Sequence, residues 1–136
     1  LVLVTCLPAR AADPPLPAIP ALEAYLAGRT PRFARLVLTL PTLADNGFSV
    51  PIRLAVPGPF GAGPYVKSLR LFSETNPVPD MAVFEFPAPV ERIEVDSRIR
   101  LAGTQQIVAT AEMTDGALYA ATKEVIVTLA GCMDGT

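Results

Sequence analysis

Residues 105–129 read QQIVATAEMTDGALYAATKEVIVTL, and this stretch decides the class of fold. Two segments rich in apolar and β-branched residues, 105–114 and 117–129, stand on either side of Asp115-Gly116. This dipeptide favours a hairpin turn because glycine adopts positive φ without steric cost and aspartate tolerates it. The stretch therefore predicts the last two strands of an antiparallel sheet.

The same pattern continues toward the N-terminus. Five further segments carry apolar residues at strand spacing and end at turn residues: 36–40, 50–56, 65–73, 82–86 and 92–101. The loop 44–47, which has turn chemistry at Asn46-Gly47, is expected to join the first two of these. In the last of them, we expect Ile93 and Val95 to point inward and, after a shift, Ile99 and Leu101. Seven short strands predict an all-β fold, an immunoglobulin-like antiparallel β-sandwich.

The chain before the strands has a different composition. Four prolines within residues 13–20 predict an extended linker that adds nothing to the core. Residues 21–28 carry apolar side chains at helical spacing and end at Gly28, which predicts a short helix on the domain edge. We therefore divide the chain into a linker and short helix (13–34), a sandwich (35–129) and a mobile arm (130–136).

Composition excludes several functions. The 11 basic and 13 acidic residues give a net charge of -2, so neither nucleic acid nor an anionic membrane is an expected partner. The sequence contains no histidine, the usual general base and commonest metal ligand, and its two cysteines are far apart. We expect no metal, no cofactor and no catalytic residues, so any chemistry must be completed by another protein. Hydrophobic residues at 51% suggest an apolar surface for a partner subunit.

Residues 1–12, LVLVTCLPARAA, resemble the end of a signal peptide, because an apolar run closes on the cleavage pattern Ala9-x-Ala11. The initiating methionine and the basic start are missing, so we expect the precursor to begin upstream. Two alternatives are an N-terminal core strand and a lipoprotein anchor at Cys6. Cleavage would leave Cys132 as the single cysteine of an exported, periplasmic protein.

Cys132 lies in the tail AGCMDGT, which follows the last predicted strand. A lone thiol in an oxidising compartment forms an intermolecular disulfide or works as a reactive group. Three interpretations remain open at this point: a carrier thiol on a mobile arm, a disulfide tether to another chain, and a buried structural cysteine.

Other candidate residues have simpler interpretations. Arg92, Arg98 and Arg100 either guide anions or form a solvated strand face, and the second is expected. The segment 76–79 is a turn or a partner-contact loop. Phe84 and Phe86 are expected in the core or at a subunit interface. Glu112 and Asp115 are not expected to form an acid-base pair.

Several motifs together resemble one family. These are SRIRLA at 97–102, TQ at 104–105, VA at 108–109, AEM at 111–113, DG at 115–116, Tyr119, KEV at 123–125 and the small-residue tail with Cys132. Earlier segments are similar too: 38–41, 45–47 with 50–51, 65–68, 76–77, Phe84 and Phe86. Over residues 35–132 the chain resembles SoxY, the sulfur carrier of periplasmic thiosulfate oxidation.

The resemblance implies an immunoglobulin-like sandwich that pairs with a second β-sandwich subunit, SoxZ. It also implies that Cys132 holds the substrate covalently on a swinging arm, with Ala130 and Gly131 as its flexible stem. A haem c enzyme would join thiosulfate to the thiol, a hydrolase would release sulfate, and further enzymes would oxidise the remaining sulfane. The protein itself would be a substrate carrier and not an enzyme.

The tail differs from the familiar family ending, Gly-Gly-Cys-Gly-Gly. Ala130 replaces the first glycine, and Met133 and Asp134 follow the cysteine directly. Met133 adds bulk and Asp134 adds a carboxylate two residues from the sulfur. Two alternatives to a thiosulfate carrier therefore remain: a SoxY-like carrier for a different sulfur or redox pathway, and an immunoglobulin-like structural subunit that cross-links through Cys132.

Overall fold

The structure, a computed structural model, describes residues 13–58, 60 and 62–128. The elements in chain order are α1 (Pro20–Leu26), β1 (Val37–Thr39), β2 (Leu43–Ala44), β3 (Val50–Val56), β4 (Val66–Ser73), β5 (Asp80–Glu85), β6 (Ile93–Ile99), β7 (Gln105–Met113) and β8 (Leu118–Val127). One sheet has the order β1-β3-β6 and the other has the order β2-β8-β7-β4-β5. This two-sheet architecture confirms the predicted all-β sandwich.

The main core lies between the two sheets. In β3, the apolar residues Val50, Ile52, Leu54 and Val56 are at most 4% exposed and alternate with Pro51, Arg53 and Ala55. This two-residue period is the one expected when a single face of a strand is buried. From the facing sheet, the same cluster receives Leu69, Leu71, Ile107, Ala109, Ala111 and Val125. Residues of both sheets thus share one hydrophobic cluster.

Strand β6 keeps a single register along its whole length. It pairs with β3 without interruption, from Val56 opposite Ile93 to Val50 opposite Ile99. The predicted shift between Val95 and Ile99 is therefore wrong. The inward position between them is taken by Ser97, which is exposed and lines an open groove between β5 and β6. A polar residue is tolerated there because the opposing sheet does not cover it.

The connection from β1 to β3 is less direct than the sequence predicts. Leu43 and Ala44 form β2, which leaves the first sheet and pairs in parallel with Ile126 and Val127 of β8. Asn46-Gly47 follows this strand, and the Asn46 side chain accepts a hydrogen bond from the Phe48 N–H at 2.9 Å. The sandwich is thus antiparallel in every strand pair of the described residues except this one.

The β7-β8 hairpin is confirmed. The Met113 N–H donates to the Ala117 carbonyl at 2.8 Å, and the Gly116 N–H donates to the Met113 carbonyl at 3.0 Å. Gly116 takes the positive φ, 90°, while the Asp115 carboxylate accepts the Ala117 N–H at 3.0 Å. A turn closed by a left-handed glycine is the usual three-residue hairpin loop.

The short helix is present but does not sit on the domain edge. Helix α1 covers the outer face of the larger sheet, where Leu22 and Leu26 join Phe72 of β4 and Val108 of β7 in a second hydrophobic cluster. Strands β4 and β7 therefore carry buried apolar residues on both faces, with Phe72 and Val108 on the outer one. Some of the apolar residues that raise the hydrophobic fraction of the sequence are therefore buried within this chain, where they cannot contact a partner subunit.

The proline-rich segment also contributes to this cluster. Ile19 is 1% exposed, and Leu16 packs against the same group. The prediction that residues 13–20 add nothing to the core is therefore wrong at Ile19, which sits directly before the first residue of α1. Within the described residues, the helix found is far too short to cross a membrane.

Candidate functional site

The predicted site residues Cys132, Ala130 and Gly131 lie outside the described residues, as do residues 1–12 with Cys6. The structure describes the chain up to Thr128, four positions before Cys132. It therefore shows the surface from which the predicted arm begins. We call residues 126–128 the arm base.

Hydrogen bonds hold the arm base on both sides. The Ile126 and Thr128 N–H groups donate to the carbonyls of Thr42 and Ala44, at 2.9 and 3.1 Å. On the other side, the Val127 N–H donates to the Thr104 hydroxyl at 2.9 Å. Because the last described residues are bonded to both neighbouring segments, the chain leaves the sandwich from a fixed point.

The Thr128 side chain adds a third link to this anchor. Its hydroxyl donates to the Asp45 carbonyl at 3.1 Å. Strand β2 and the loop that follows it thus form one wall of the arm base. The parallel pairing of β2 with β8, which the sequence did not predict, is what brings this wall into place.

Three exposed apolar residues belong to the arm base, to β2 and to the loop that follows β2. Leu43 lies directly opposite Ile126 in the β2-β8 pair, and they are 54% and 45% exposed. Phe48, 51% exposed, stands in the loop that accepts the Thr128 hydroxyl.

The distance from the arm base to the cysteine is limited by the chain itself. An extended residue spans at most about 3.6 Å, so four residues carry Cys132 no further than about 14 Å from Thr128. Leu43 and Ile126 lie within this radius, because Ile126 is two residues from Thr128 along one strand and Leu43 is its neighbour across the sheet.

A second polar group, remote from the arm base, connects α1 to the larger sheet. Glu112 accepts hydrogen bonds from the Tyr25 hydroxyl at 2.5 Å and from Arg29 at 3.3 Å, and Lys67 lies 3.5 Å from its other oxygen. The Arg70 guanidinium stacks over the Tyr25 ring, 4.5 Å from its centroid. Tyr25 and Glu112 are 87 positions apart, so no local pattern in the sequence indicates this contact.

These contacts determine the protonation of the group. The Tyr25 hydrogen bond, followed by Arg29 and Lys67, lowers the pKa of Glu112 below its ordinary value. Burial raises the pKa of Tyr25, and the hydrogen bond to Glu112 raises it further. At neutral pH the carboxylate is charged and the phenol is neutral. The pair therefore works as a link between helix and sheet, whereas Asp115 serves the hairpin turn.

The arginine and phenylalanine residues that the sequence analysis singled out lie on the surface and against the core, respectively. Arg92, Arg98 and Arg100 are exposed, which confirms a solvated face. Phe84 and Phe86 are partly buried and pack against the main core, as predicted.

The turn that begins at Asn76 is fixed by that side chain. Its amide nitrogen donates to the Arg100 carbonyl at 2.7 Å, and its oxygen accepts from the Ala102 N–H at 2.8 Å and from the Gln105 amide at 2.9 Å. These bonds close one end of the sandwich and give Asn76 a structural role.

No arrangement of catalytic or metal-binding groups is found in the part of the chain that the structure describes. That part contains no group of three or more His, Cys, Asp or Glu side chains placed to hold a metal ion. The groove between β5 and β6, about 280 Å³, is lined by apolar residues together with Asn76, Ser97, Arg98 and Arg100. The arm base is the described segment nearest to Cys132 along the chain.

Comparison with known proteins places this arrangement in a family. The model of the family "Sulfur oxidation protein SoxY" matches residues 22–132, so the last residue matched is Cys132. The structure of the sulfur carrier protein SoxY from Chlorobium limicola f thiosulfatophilum is similar, with 30% sequence identity and a TM-score of 0.64. The match covers 80% of this chain and 94% of that one. A search of curated proteins finds no significant match.

More distant structures share the fold alone. A putative superoxide reductase from Thermotoga maritima is 16% identical with a TM-score of 0.56, and the match covers 68% of this chain and 84% of that one. The superoxide reductase from Nanoarchaeum equitans is 15% identical with a TM-score of 0.57, and the match covers 71% of this chain and all of that one. The two-sheet sandwich therefore occurs in proteins with unrelated chemistry.

Proposed function

This chain belongs to the SoxY family of sulfur oxidation proteins, and on that premise we propose that it is a covalent sulfur carrier whose working group is the thiol of Cys132. The observation that carries the proposal is the extent of the family match, which runs through Cys132 and ends there. The similarity to a solved SoxY over most of both chains supports it.

The arm base gives this proposal a physical form. Residues 130–136 are the arm, and Ala130 and Gly131 are its stem, since small residues let a chain enter a narrow pocket. The hydrogen bonds of Thr128 to Ala44 and Asp45 hold the origin of the arm. The thiol then searches a volume of limited radius, about 14 Å, while the sandwich stays folded.

The carrier reaction balances as an oxidative coupling. The Cys132 thiol and thiosulfate form a sulfur-sulfur bond, giving a cysteine S-thiosulfonate, and they release one proton and two electrons to an oxidised haem c enzyme. Water then cleaves the bond between the sulfonate group and the sulfur atom that is attached to Cys132. This step releases sulfate and leaves a persulfide on Cys132. The rate of such exchange depends on how much of the Cys132 thiol is ionised and on how easily it is reached.

The carrier itself supplies no catalytic group. Its sequence contains no imidazole to act as a base, so the coupling enzyme, the hydrolase and the sulfane-oxidising enzyme supply the catalysis. A SoxZ-like β-sandwich subunit completes a heterodimer with it. Residues 1–12 are the end of a signal peptide, and the mature protein works in the periplasm with Cys132 as its single cysteine.

The proposal is tested by mass spectrometry of the exported protein. Incubation with thiosulfate, a haem c coupling enzyme and an oxidised electron acceptor should add one thiosulfonate group to the peptide that contains Cys132. The Cys132→Ser variant should take up none and should unfold at the same temperature as the wild type. Absence of the adduct from Cys132 while the thiol is free would refute the thiosulfate carrier.

Other outcomes of the same experiment distinguish the alternatives. A persulfide without thiosulfonate would indicate a SoxY-like carrier for another sulfur pathway, in keeping with the tail residues Met133 and Asp134. A disulfide between Cys132 and another chain, unaffected by thiosulfate, would indicate a cross-linked structural subunit. Co-purification with a cysteine-free β-sandwich subunit tests the heterodimer separately.

A further inference from the structure

The chain contains two asparagines, and the residue that follows each of them is different. Asn46 is followed by Gly47, and Asn76 is followed by Pro77. The nitrogen of the next residue can attack the side-chain amide carbon of an asparagine and close a five-membered imide ring. The reacting atoms belong to adjacent residues, so they meet without loss of translational freedom. The next residue therefore decides how readily an asparagine reacts.

The two neighbours act in opposite directions. Glycine has no side chain to hinder the attack, and its backbone adopts the conformations that the ring requires. The nitrogen of proline carries no hydrogen and is already bonded to three carbons, so it cannot form the imide. Asn46 therefore has a reactive neighbour, whereas Asn76 has none.

The hydrogen bonds of the two side chains differ in the same sense. Asn76 is held through both its oxygen and its amide nitrogen. The Asn46 oxygen accepts the Phe48 N–H at 2.9 Å, and its amide nitrogen donates no hydrogen bond within the described residues. The Phe48 bond closes a ring of atoms that contains the Gly47 nitrogen, so this nitrogen and the amide carbon belong to one turn. Asn46 is exposed, so water reaches its side chain although Gly47 is itself buried.

The attacking nitrogen is also free of competing contacts. Among the described residues, the Gly47 N–H takes part in no hydrogen bond, while its carbonyl accepts the Leu101 N–H at 2.8 Å. Asp115-Gly116 offers a comparison, because an aspartate can close the same ring. There the Gly116 N–H donates to the Met113 carbonyl at 3.0 Å. The nucleophile is therefore engaged in the β7-β8 turn and available in the loop after β2.

We propose that Asn46 is a site of spontaneous covalent modification in the folded protein. The Gly47 nitrogen bonds to the Asn46 amide carbon, and the amide nitrogen leaves as ammonia with the proton that Gly47 gives up. Water then opens the imide at either carbonyl, which gives aspartate or isoaspartate at position 46. The sequence of steps requires no oxidant, cofactor or enzyme. It does not depend on the carrier function.

The two products have the same charge and different backbones. Isoaspartate adds one carbon to the main chain, between the Asn46 Cα and the Gly47 nitrogen. This carbon separates two carbonyls that fix the loop: that of Asp45, which accepts the Thr128 hydroxyl at 3.1 Å, and that of Gly47, which accepts the Leu101 N–H at 2.8 Å. We expect isoaspartate to weaken the hold of the loop on Leu101, and aspartate to preserve it.

The test incubates the folded protein in alkaline buffer made with water labelled with heavy oxygen, followed by peptide mapping with mass spectrometry. The Asn46 peptide should lose its amide, take up labelled oxygen and separate into two products on chromatography. The peptides with Asn76 and Asp115 should take up none. Asn46→Gln is the matched control, because its ring would have six members, and it should react at least about tenfold more slowly.

A parallel sample unfolded in urea gives the rate of the unrestrained chain. Conversion of Asn46 in the folded protein within about tenfold of that rate is the expected result. An amide that survives in the folded protein while the unfolded sample is fully converted would overturn the inference. Label at Asn76 or Asp115 at the rate of Asn46 would overturn it as well, because the structure would then not select the site.

Hydrogen exchange tests the effect on the loop. The isoaspartate fraction should exchange the Leu101 N–H about tenfold faster than the Asn46→Asp variant, which carries the same charge on an ordinary backbone. The Met113 N–H, which donates to the Ala117 carbonyl in the distant hairpin, should exchange equally fast in both. Equal exchange at Leu101 would overturn the proposed effect of the longer backbone.

Discussion

Replacement of Glu112 by glutamine removes one negative charge from the link between α1 and the larger sheet and keeps the shape of the side chain. Glu112 is 15% exposed and accepts the Tyr25 hydroxyl at 2.5 Å. A hydrogen bond to a charged group contributes about 1.5–3 kcal/mol and a neutral one about 0.5–1.5 kcal/mol, so the exchange costs about 1 kcal/mol. The ion pairs with Arg29 and Lys67, whose side chains are 40% and 63% exposed, add only about 0.2–1 kcal/mol each.

We therefore expect Glu112→Gln to lower the free energy of unfolding by about 2 kcal/mol at neutral pH. The loss should depend on pH in a defined direction. The folded protein lowers the pKa of Glu112, so the charged carboxylate stabilises the fold above the ordinary pKa of a glutamate. This stabilisation disappears as the pH falls through the lowered pKa of the folded state, where both proteins carry a neutral side chain.

Urea denaturation followed by circular dichroism, from about pH 7 down to about pH 3, measures this difference. Glu124→Gln is the matched control, because Glu124 is an exposed glutamate on β8 and should change stability by less than about 0.5 kcal/mol. A loss in Glu112→Gln that stays constant across this pH range would refute the electrostatic account. A loss no larger than that of Glu124→Gln would refute the role of the link itself.

Two other changes test the second cluster and the closed end of the sandwich. The Leu22 side chain is 1% exposed and lies between α1 and the sheet. Leu22→Ala should lower the free energy of unfolding by about 2–4 kcal/mol, and Leu22→Met should lower it by less than about 1.5 kcal/mol. Equal effects of the two changes in urea titration would contradict the packing of α1 on the sheet. Asn76→Ala loses three hydrogen bonds and should cost about 2 kcal/mol by thermal denaturation, against less than about 1 kcal/mol for Asn46→Ala, which loses one in an exposed loop. Comparable losses in the two asparagine variants would show that Asn76 is an ordinary turn residue.

The sequence predicts those parts of the fold that depend on local periodicity. The β7-β8 hairpin is confirmed because Asp115-Gly116 has its own turn chemistry, and β3 is confirmed because its apolar residues alternate without a break. Strand β2 is not predicted by the sequence, because two residues are too few to show a period. It forms only through its contact with β8, more than eighty positions later in the chain.

The position of α1 on the outer face of the larger sheet has a signal in the sequence of the strands beneath it. Apolar residues follow one another directly at 71–72 and at 107–109, which is typical of strands buried on both faces. Such strands require a cover on the outside of the sandwich, and α1 is the available element. The Tyr25–Glu112 link, by contrast, needs the tertiary structure. The carrier residue Cys132 was inferred from chemistry and resemblance, and it stays a prediction because it lies outside the described residues.

The bonds at the arm base also have a mechanical consequence. A force applied to the end of β8 along the strand direction acts at right angles to the hydrogen bonds to β7 and β2, which run across the strand. Such a pull stretches many bonds at once in shear, and does not open them one after another as in peeling. The strand that precedes Cys132 is therefore well suited to repeated tension, and force applied to the tail is spread across the sheet.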